Sequence, residues 1–351
     1  MMGKLKKLTG YRLFLPLSCL IIVLLINLIT TPTFFKITIN NGVLYGYIID
    51  VINRASELVV LAVGMTLVVS ASAGTDISVG AVMAVAAAVC TRVLAGGEVS
   101  VNEYANPYVL AVLAALAVAV VCGGFNGFLV AKLKIQPMVA TLILFTAGRG
   151  ISQLVTNGQI TYIRVDGYKL LGNNIPGIPI PTPIFVAVIV VVLTYILLKK
   201  TAMGMYIQSV GINERASRLV GLKSVKIIWM AYAFCGLCAG IAGLVASSRI
   251  YSADANNIGL NMELDAIAAV ALGGNSLGGG RFSLLGSVIG AYTIQALTTT
   301  LYAMSVPADQ IPVYKAIVVI LIVAVQSEEL NKFRKRLASR HSSKNVEGGV
   351  A

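Results

Sequence analysis

The sequence carries little charge for its length. Only 12% of its 351 residues are Asp, Glu, Lys or Arg, whereas 57% are apolar. Soluble domains carry about twice that charged fraction, so the composition excludes an ordinary soluble domain. Apolar runs recur along the chain, and a run of about 17 residues or more indicates a membrane span. The sequence therefore predicts an integral membrane protein.

The chain also lacks the residue clusters that catalytic and metal sites need. It has one histidine, His341, and five cysteines that all lie inside apolar runs. No disulfide framework is expected, and the C-x-x-C spacing of Cys235 and Cys238 is interpreted as packing of small residues. We find no nucleophile beside a base and no set of metal ligands, so we predict no catalytic residue and no metal site.

Ten apolar segments predict an all-α, polytopic membrane protein with about ten transmembrane helices. The eighth segment is too short to span a bilayer alone and continues into glycines, so we expect broken or re-entrant Gly-rich elements as well. The predicted segments are 13–30, 51–70, 78–95, 107–131, 137–155, 182–198, 226–250, 265–274, 283–302 and 311–326.

The basic residues predict the orientation of these helices. The net charge of +13 comes from clusters between the apolar runs, which does not suggest nucleic-acid binding. With both termini cytoplasmic, 19 of the 27 Lys and Arg residues fall on the cytoplasmic side, as the positive-inside rule requires. We predict a cytoplasmic N-terminus (1–12), one transmembrane domain (13–326) and a basic cytoplasmic tail (327–351) near anionic lipid.

Polar residues interrupt the apolar pattern between the second and third predicted spans. The stretch SASAGTDISVGAVMA (70–84) contains Asp76 and Ser78, with Gly74 and Gly80 on either side. Asp76 or Ser78 is expected to cap the third helix. Irregular backbone at membrane depth is tolerated only inside protein or beside water, so the stretch is interpreted as a broken element facing a cavity.

A second interruption follows the eighth apolar segment. MELDAIAAVALGGNSLGGG (262–280) begins with Glu263 and Asp265, which either stabilise the start of a helix or line a polar pathway. Its glycines permit tight turns and close helix contacts, and no Lys-Ser/Thr follows them as a phosphate-binding loop would require. These glycines include Gly273, Gly274, Gly279 and Gly280.

The longest predicted cytoplasmic loop, 199–226, contains the helix signals of a separate short element. Asn213 is a good N-cap and Gly221 a good helix stop. Between them lie charged residues beside apolar ones. A short amphipathic helix of this kind suits docking to a soluble partner, and a solvated connector is the alternative.

Several of these stretches together resemble the ribose-type sugar ABC importer permeases. TAMGMYIQSVGINERASRLVGL (201–222) resembles the coupling segment of that family, and AGTDISVGAVMA (73–84) resembles its G-G-I-D-L-S-V-G element. ELDAIAAVALGGNSLGGGRFSLLGSVIGA (263–291) resembles its E-L-x-A-I-A-A element. The chain is most similar to the galactofuranose-type branch. Ala73 and Thr75 depart from the family pattern, which leaves the sugar open.

The resemblance implies a binding-protein-dependent importer subunit of the bacterial inner membrane. Two permeases, either identical or different, would form the path, and an extracytoplasmic sugar-binding protein would deliver the sugar. Cytoplasmic ABC ATPases would bind ATP, so this chain would be neither an enzyme nor a cofactor protein. The implied coupling residues are Gly211, Asn213, Glu214, Arg215, Ala216 and Gly221. The path candidates are Asp76, Ser78, Asn126, Asn275 and Ser276.

Two other classes of transporter remain open at this point. One is an ABC permease for nucleosides or branched-chain amino acids. The other is an ion-coupled secondary transporter, which would favour an ionisable group within a span, and Arg149 is the nearest candidate.

Overall fold

The structure is a computed structural model that describes residues 13–40 and 42–326 of the chain. The predicted cytoplasmic N-terminus and basic tail lie outside the described residues. Among those that are described, the chain forms twelve α-helices joined by short loops. They are α1 (Phe14–Thr30), α2 (Tyr47–Ser72), α3 (Val79–Ala95), α4 (Tyr108–Ala131), α5 (Pro137–Val155), α6 (Thr182–Lys200), α7 (Met203–Ile212), α8 (Glu214–Leu219), α9 (Ser224–Ile250), α10 (Met262–Leu272), α11 (Leu284–Ala303) and α12 (Ile311–Gln326).

The helical, polytopic class is confirmed. Each of the ten predicted segments contains a helix, with bounds that shift by a few residues. Six helices, α2, α4, α5, α6, α9 and α11, are long and apolar enough to cross a membrane. Three shorter apolar stretches lie in α1, α3 and α12. Loop 199–226 contains two helices, α7 and α8, where one was predicted.

Five short strands in the loops define one end of the bundle, which we call the sheet end. β1 (Thr38–Asn40) pairs antiparallel with β2 (Val43–Tyr45). β3 (Ser100–Val101) lies parallel to β4 (Thr161–Ile163), and β4 pairs antiparallel with β5 (Ser252–Ala253). The Leu44 amide also donates to the Pro179 carbonyl, so both sheets lie at the same end. The sequence analysis did not predict these strands.

The opposite end, the glycine end, brings together the breaks that follow α2 and α10. The Gly280 amide donates to the Ser70 carbonyl at 3.0 Å, across more than two hundred residues of sequence. α10 has 11 residues and is therefore about 16 Å long, roughly half of a bilayer core. Glycine-rich coil continues from its end, at Leu272, to the glycine end. The predicted interruption after the eighth apolar segment is therefore present as a short helix followed by coil.

Small residues hold the central helices together. α2 is buried along most of its length, and Gly64 faces α9, where an added Cβ would lie 3.0 Å from both the Cys235 Cα and the Cys238 Cβ. Both cysteines are buried free thiols, so the C-x-x-C stretch packs helices as predicted. Gly123 in α4 meets Gly236 in α9 just as closely. Such contacts let helix backbones approach where no hydrophobic force distinguishes protein from lipid.

The α10–α11 contact predicts a sharp sensitivity to a single methyl group. A Cβ at Gly290 would lie 2.0 Å from the Ala269 carbonyl oxygen, whereas a Cβ at Gly150 in α5 would meet nothing within 4 Å. Gly290→Ala should therefore destabilise the protein by about 1–3 kcal/mol through overpacking. Gly150→Ala should match or exceed the parent stability, because Ala is the better helix former.

The difference in stability is measured by heating the two variants in detergent and recording the loss of the monodisperse peak in size-exclusion chromatography. Equal melting temperatures for Gly290→Ala and Gly150→Ala would contradict the packing described for α10 and α11.

Candidate functional site

A buried polar cluster forms where the chain leaves α2 and enters α3. The Asp76 carboxylate is only 1% exposed. Its Oδ1 accepts from the Ser78 amide at 2.9 Å and from the Ser78 hydroxyl at 2.6 Å. Asn126 of α4 donates to Ser78 Oγ at 2.8 Å and, at 3.4 Å, to Asp76 Oδ1. Three of the five path candidates therefore touch one another.

The prediction that Asp76 or Ser78 caps α3 is wrong. Ser78 occupies the N-cap position, but neither side chain bonds to the first turn of the helix. The Ser78 hydroxyl instead donates to Asp76, because the buried carboxylate needs donors more than the helix end needs an acceptor. Among the described residues, no Lys or Arg lies within 4.0 Å of this carboxylate.

Asn275 centres a second cluster in the glycine-rich stretch. Its Nδ2 donates to the Val270 carbonyl at 3.1 Å and to Ser287 Oγ at 2.8 Å, and its Oδ1 accepts from the Ser283 amide at 2.5 Å. The amide thus ties the end of α10 to the start of α11. Ser276 lies apart, exposed, and its Oγ accepts only the Gly278 amide in the region described.

The two clusters contact neighbouring residues of α2, Met65 and Thr66. Thr66 is hydrogen-bonded to Ser287 at 2.6 Å, and the Met65 sulfur accepts from the Asp76 amide at 3.5 Å. Each cluster is therefore held to α2, one through Met65 and the other through Thr66. The Asp76 cluster itself is enclosed by protein, whereas Ala71, Ser72 and Ala73 of the same stretch line a cavity of about 340 Å³.

Gly211 joins loop 199–226 to both interrupted elements. A Cβ there would lie 1.7 Å from the Ser70 carbonyl oxygen and 2.7 Å from the Gly280 nitrogen. Gly279 and Gly280 both have φ of 85°, a conformation that favours glycine. We call this three-way backbone contact of Ser70, Gly211 and Gly280 the glycine junction. Gly74 lies nearby against Pro137, which a Cβ would approach to 2.3 Å.

Other predicted glycines fix helix contacts nearer the sheet end and along α11. A Cβ at Gly80 would lie 2.2 Å from Glu263 Oε2, so Gly80 makes room for this buried carboxylate. Gly273 packs on Gly286 of α11. Gly274 has φ of 76° and ends α10. Glu263 lies in the first turn of α10, and its Oε2 is buried without a partner among the described residues.

Within loop 199–226, α8 is fixed in place by a polar cap and by the contacts of one carboxylate. Asn213 caps the helix, since its side chain accepts from the Ala216 amide at 3.0 Å, as predicted. Glu214 accepts from Lys134, Arg218 and Ser224, which links α8 to the α4–α5 loop and to α9. Partial burial opposes ionisation of Glu214, but the bonds from Lys134 and Arg218 prevail and hold its pKa below the usual range.

The outer face of α8 is apolar and open. Leu219 is 89% exposed and Val220 is 77% exposed, although both are large apolar residues. Gly221 follows with φ of 86° and stops the helix, as predicted. Arg215 is exposed on the same helix, outside any ion pair within 4.0 Å in the described chain. The amphipathic helix predicted for this loop includes both apolar residues, but Leu219 and Val220 were not among the predicted coupling residues.

A charged cavity of about 720 Å³ opens at the sheet end. Two ion pairs line it: Glu57–Arg249 at 3.0 Å and Asp265–Lys315 at 2.7 Å. Asp265 therefore lies in the first turn of α10, as predicted, and also pairs with Lys315 of α12. Arg149 braces the same region from α5, donating to the Ala255 carbonyl at 2.9 Å. The sequence signal was a set of charges near span ends, with nothing to indicate their partners.

Comparison of the sequence with known proteins identifies the family of this chain. The model of a family described as "Branched-chain amino acid transport system / permease component" matches residues 47–326, from α2 to the end of α12. The chain belongs to this permease family. It is therefore a transport subunit and a multi-pass protein of the bacterial cytoplasmic membrane.

Three curated relatives align along nearly their whole length. The galactofuranose transporter permease protein YtfT of Escherichia coli is 44% identical over 92% of this chain and 92% of its own. The fructose import permease protein FruF of Bifidobacterium longum is 37% identical over 99% and 96%. The ribose import permease protein RbsC of Escherichia coli is 35% identical over 89% and 93%. The predicted resemblance is confirmed. No solved structure matches the chain.

The Asp76 cluster predicts different effects for two substitutions at one position. Asp76→Ala removes the acceptor of three buried donor groups, and each unsatisfied group costs about 1–3 kcal/mol. Asp76→Asn keeps an oxygen acceptor and should stay close to the parent protein. Thermal unfolding in detergent measures both, with Glu98→Ala at an exposed loop position as the control. Equal stability of the Ala and Asn variants would contradict the cluster as described.

Proposed function

We propose that the chain is the permease subunit of a binding-protein-dependent ABC importer for a monosaccharide, with a galactofuranose-like sugar as the first candidate. The observation that carries this proposal is the full-length similarity to permeases named for galactofuranose, fructose and ribose. The two polar clusters beside α2 agree with it, because their hydroxyls and amides match the hydrogen-bonding groups of a neutral sugar.

The proposed assembly has two permeases around a central path, each with ten membrane-inserted helices and cytoplasmic termini. The glycine end then faces the cytoplasm. It carries Lys132, Lys134 and the basic residues of loop 199–226, in agreement with the positive-inside rule. The sheet end faces an extracytoplasmic sugar-binding protein, and its charged cavity is the proposed entrance. The second permease is either another copy or a related chain.

The proposed drive is a cytoplasmic ABC ATPase that binds ATP and docks on α8, so this chain needs no cofactor. Coupling requires that nucleotide favour one conformation over another. The glycine junction supports a route for this bias, because α7 touches the break after α2 and the glycine-rich stretch at one point. Gly211, Asn213, Glu214, Arg215, Ala216 and Gly221 remain the proposed coupling residues.

A second candidate substrate is a branched-chain amino acid. The description of the matching family names it, and the paired charges of the sheet-end cavity would suit a zwitterion. The sugar remains preferred, because the relatives that match along the whole chain are named for sugars.

Uptake by the reconstituted assembly tests the proposal. The chain, its ATPase and its binding protein in vesicles should accumulate labelled galactofuranose or a related monosaccharide only when hydrolysable ATP is present. Labelled leucine should not accumulate. Leucine uptake would favour the second candidate, and uptake driven by a proton gradient without ATP would overturn the ABC assignment.

Docking of the ATPase on α8 predicts a specific loss of association. Leu219→Asp with Val220→Asp places two charges on the exposed apolar face and should weaken co-purification of the ATPase roughly tenfold or more. Glu214→Lys and Gly221→Leu should act in the same direction, the first by adding a third basic group beside Lys134 and Arg218.

The matched control is Ile39→Asp, since Ile39 is 73% exposed in β1 at the sheet end. This variant should retain the ATPase at the parent level. Membrane insertion should be unchanged in every variant. Undiminished co-purification with the Leu219/Val220 variant would remove α8 as the docking element.

A further inference from the structure

A groove of about 370 Å³ lies at the glycine end between the end of α4 and the start of α9. Its floor is apolar, formed by Phe128 of α4 and Trp229 of α9. The apolar stems of three lysines line it as well: Lys132 directly after α4, Lys223 directly before α9 and Lys226 in the first turn of α9. No acidic side chain lines the groove.

Two glycines give the groove its depth. A Cβ at Gly124 would lie 3.3 Å from the Trp229 ring, and one at Gly127 would lie 3.0 Å from the Trp229 backbone. The indole therefore lies flat against α4 instead of projecting away from it. Trp229 is still 42% exposed, so one side of the ring is open to whatever fills the groove.

The three lysines have no acidic partner in the chain as described. The ion pairs within 4.0 Å that involve lysine use Lys134, Lys169 and Lys315 instead. The Lys132 ammonium lies over the Phe128 ring, 5.6 Å from its centroid. The nearest acidic group at the start of α9 is Glu214, which accepts from Ser224 at 3.1 Å and is also bonded to Lys134 and Arg218.

We propose that this groove is a binding site for one anionic phospholipid. The headgroup phosphate binds Lys132, Lys223 and Lys226, and one acyl chain lies along Phe128 and Trp229. Basic pockets between helices at a membrane surface select anionic headgroups, and long lysine side chains reach the interface from helix ends. With the proposed orientation, this site lies in the cytoplasmic leaflet. The site itself does not depend on sugar, ATP or the partner subunits.

Trp229 provides a direct probe, because it is the single tryptophan in the sequence. The full chain is reconstituted in vesicles of phosphatidylcholine, and its fluorescence is measured as lipid brominated in one acyl chain replaces the unlabelled lipid. Brominated phosphatidylglycerol should quench Trp229 with a relative binding constant roughly threefold or more above that of brominated phosphatidylcholine. This range follows from the attraction of a few lysines to anionic lipid.

Two matched double variants locate the site. Lys223→Gln with Lys226→Gln should bring the relative binding constant to about one. Lys199→Gln with Lys200→Gln removes two exposed lysines from the end of α6, at the same end of the bundle, and should keep the parent preference. Both variants retain Trp229 and the basic tail, so general attraction to the membrane is the same in each.

Equal quenching by the two brominated lipids in the parent chain would overturn the proposal. So would a preference that survives in the Lys223/Lys226 variant or disappears equally in both variants. Because no transport step enters the measurement, a negative result here leaves the importer assignment intact, and failure of sugar uptake leaves the lipid site intact.

Discussion

The carbonyl oxygen of Ser70 is the point on which the two interrupted membrane elements depend. Gly280 donates to it and Gly211 lies against it, with no room for a Cβ between them. This contact fixes the end of α2, the glycine-rich stretch after α10 and the helix α7 relative to one another. Since only backbone atoms take part, a displacement of α7 cannot be absorbed by a change of side-chain rotamer. In the proposed importer, a push from the ATPase would reach both elements together.

The parts of the fold that the sequence predicts are those controlled by local composition. The apolar runs predicted all ten helical segments, because lipid and the protein interior both favour apolar residues on every side of a helix. Asn213 and Gly221 marked the ends of α8, since capping depends on one side chain and one backbone conformation. The packing role of Cys235 and Cys238 also followed from their small neighbours.

The parts that escaped prediction depend on partners far away in the chain. Nothing near Arg249 or Lys315 in the sequence identifies Glu57 and Asp265 as their ion-pair partners. The expected cap at Ser78 failed for a local reason, because the buried Asp76 carboxylate two residues earlier competed for its hydroxyl. Leu219 and Val220 were part of the predicted amphipathic helix but not of the predicted coupling residues, because their high exposure depends on how the helix packs and cannot be read from the sequence.

The small sheet β3–β4–β5 ties three loops from three different helix pairs by backbone hydrogen bonds. Helices α3, α5 and α9 therefore cannot slide past one another at this end without breaking the ladder. In the proposed importer, an opening movement would therefore occur as a tilt about the sheet end, with a larger displacement at the glycine end. With the proposed orientation, the sheet end would then present a nearly constant surface to the sugar-binding protein in both conformations.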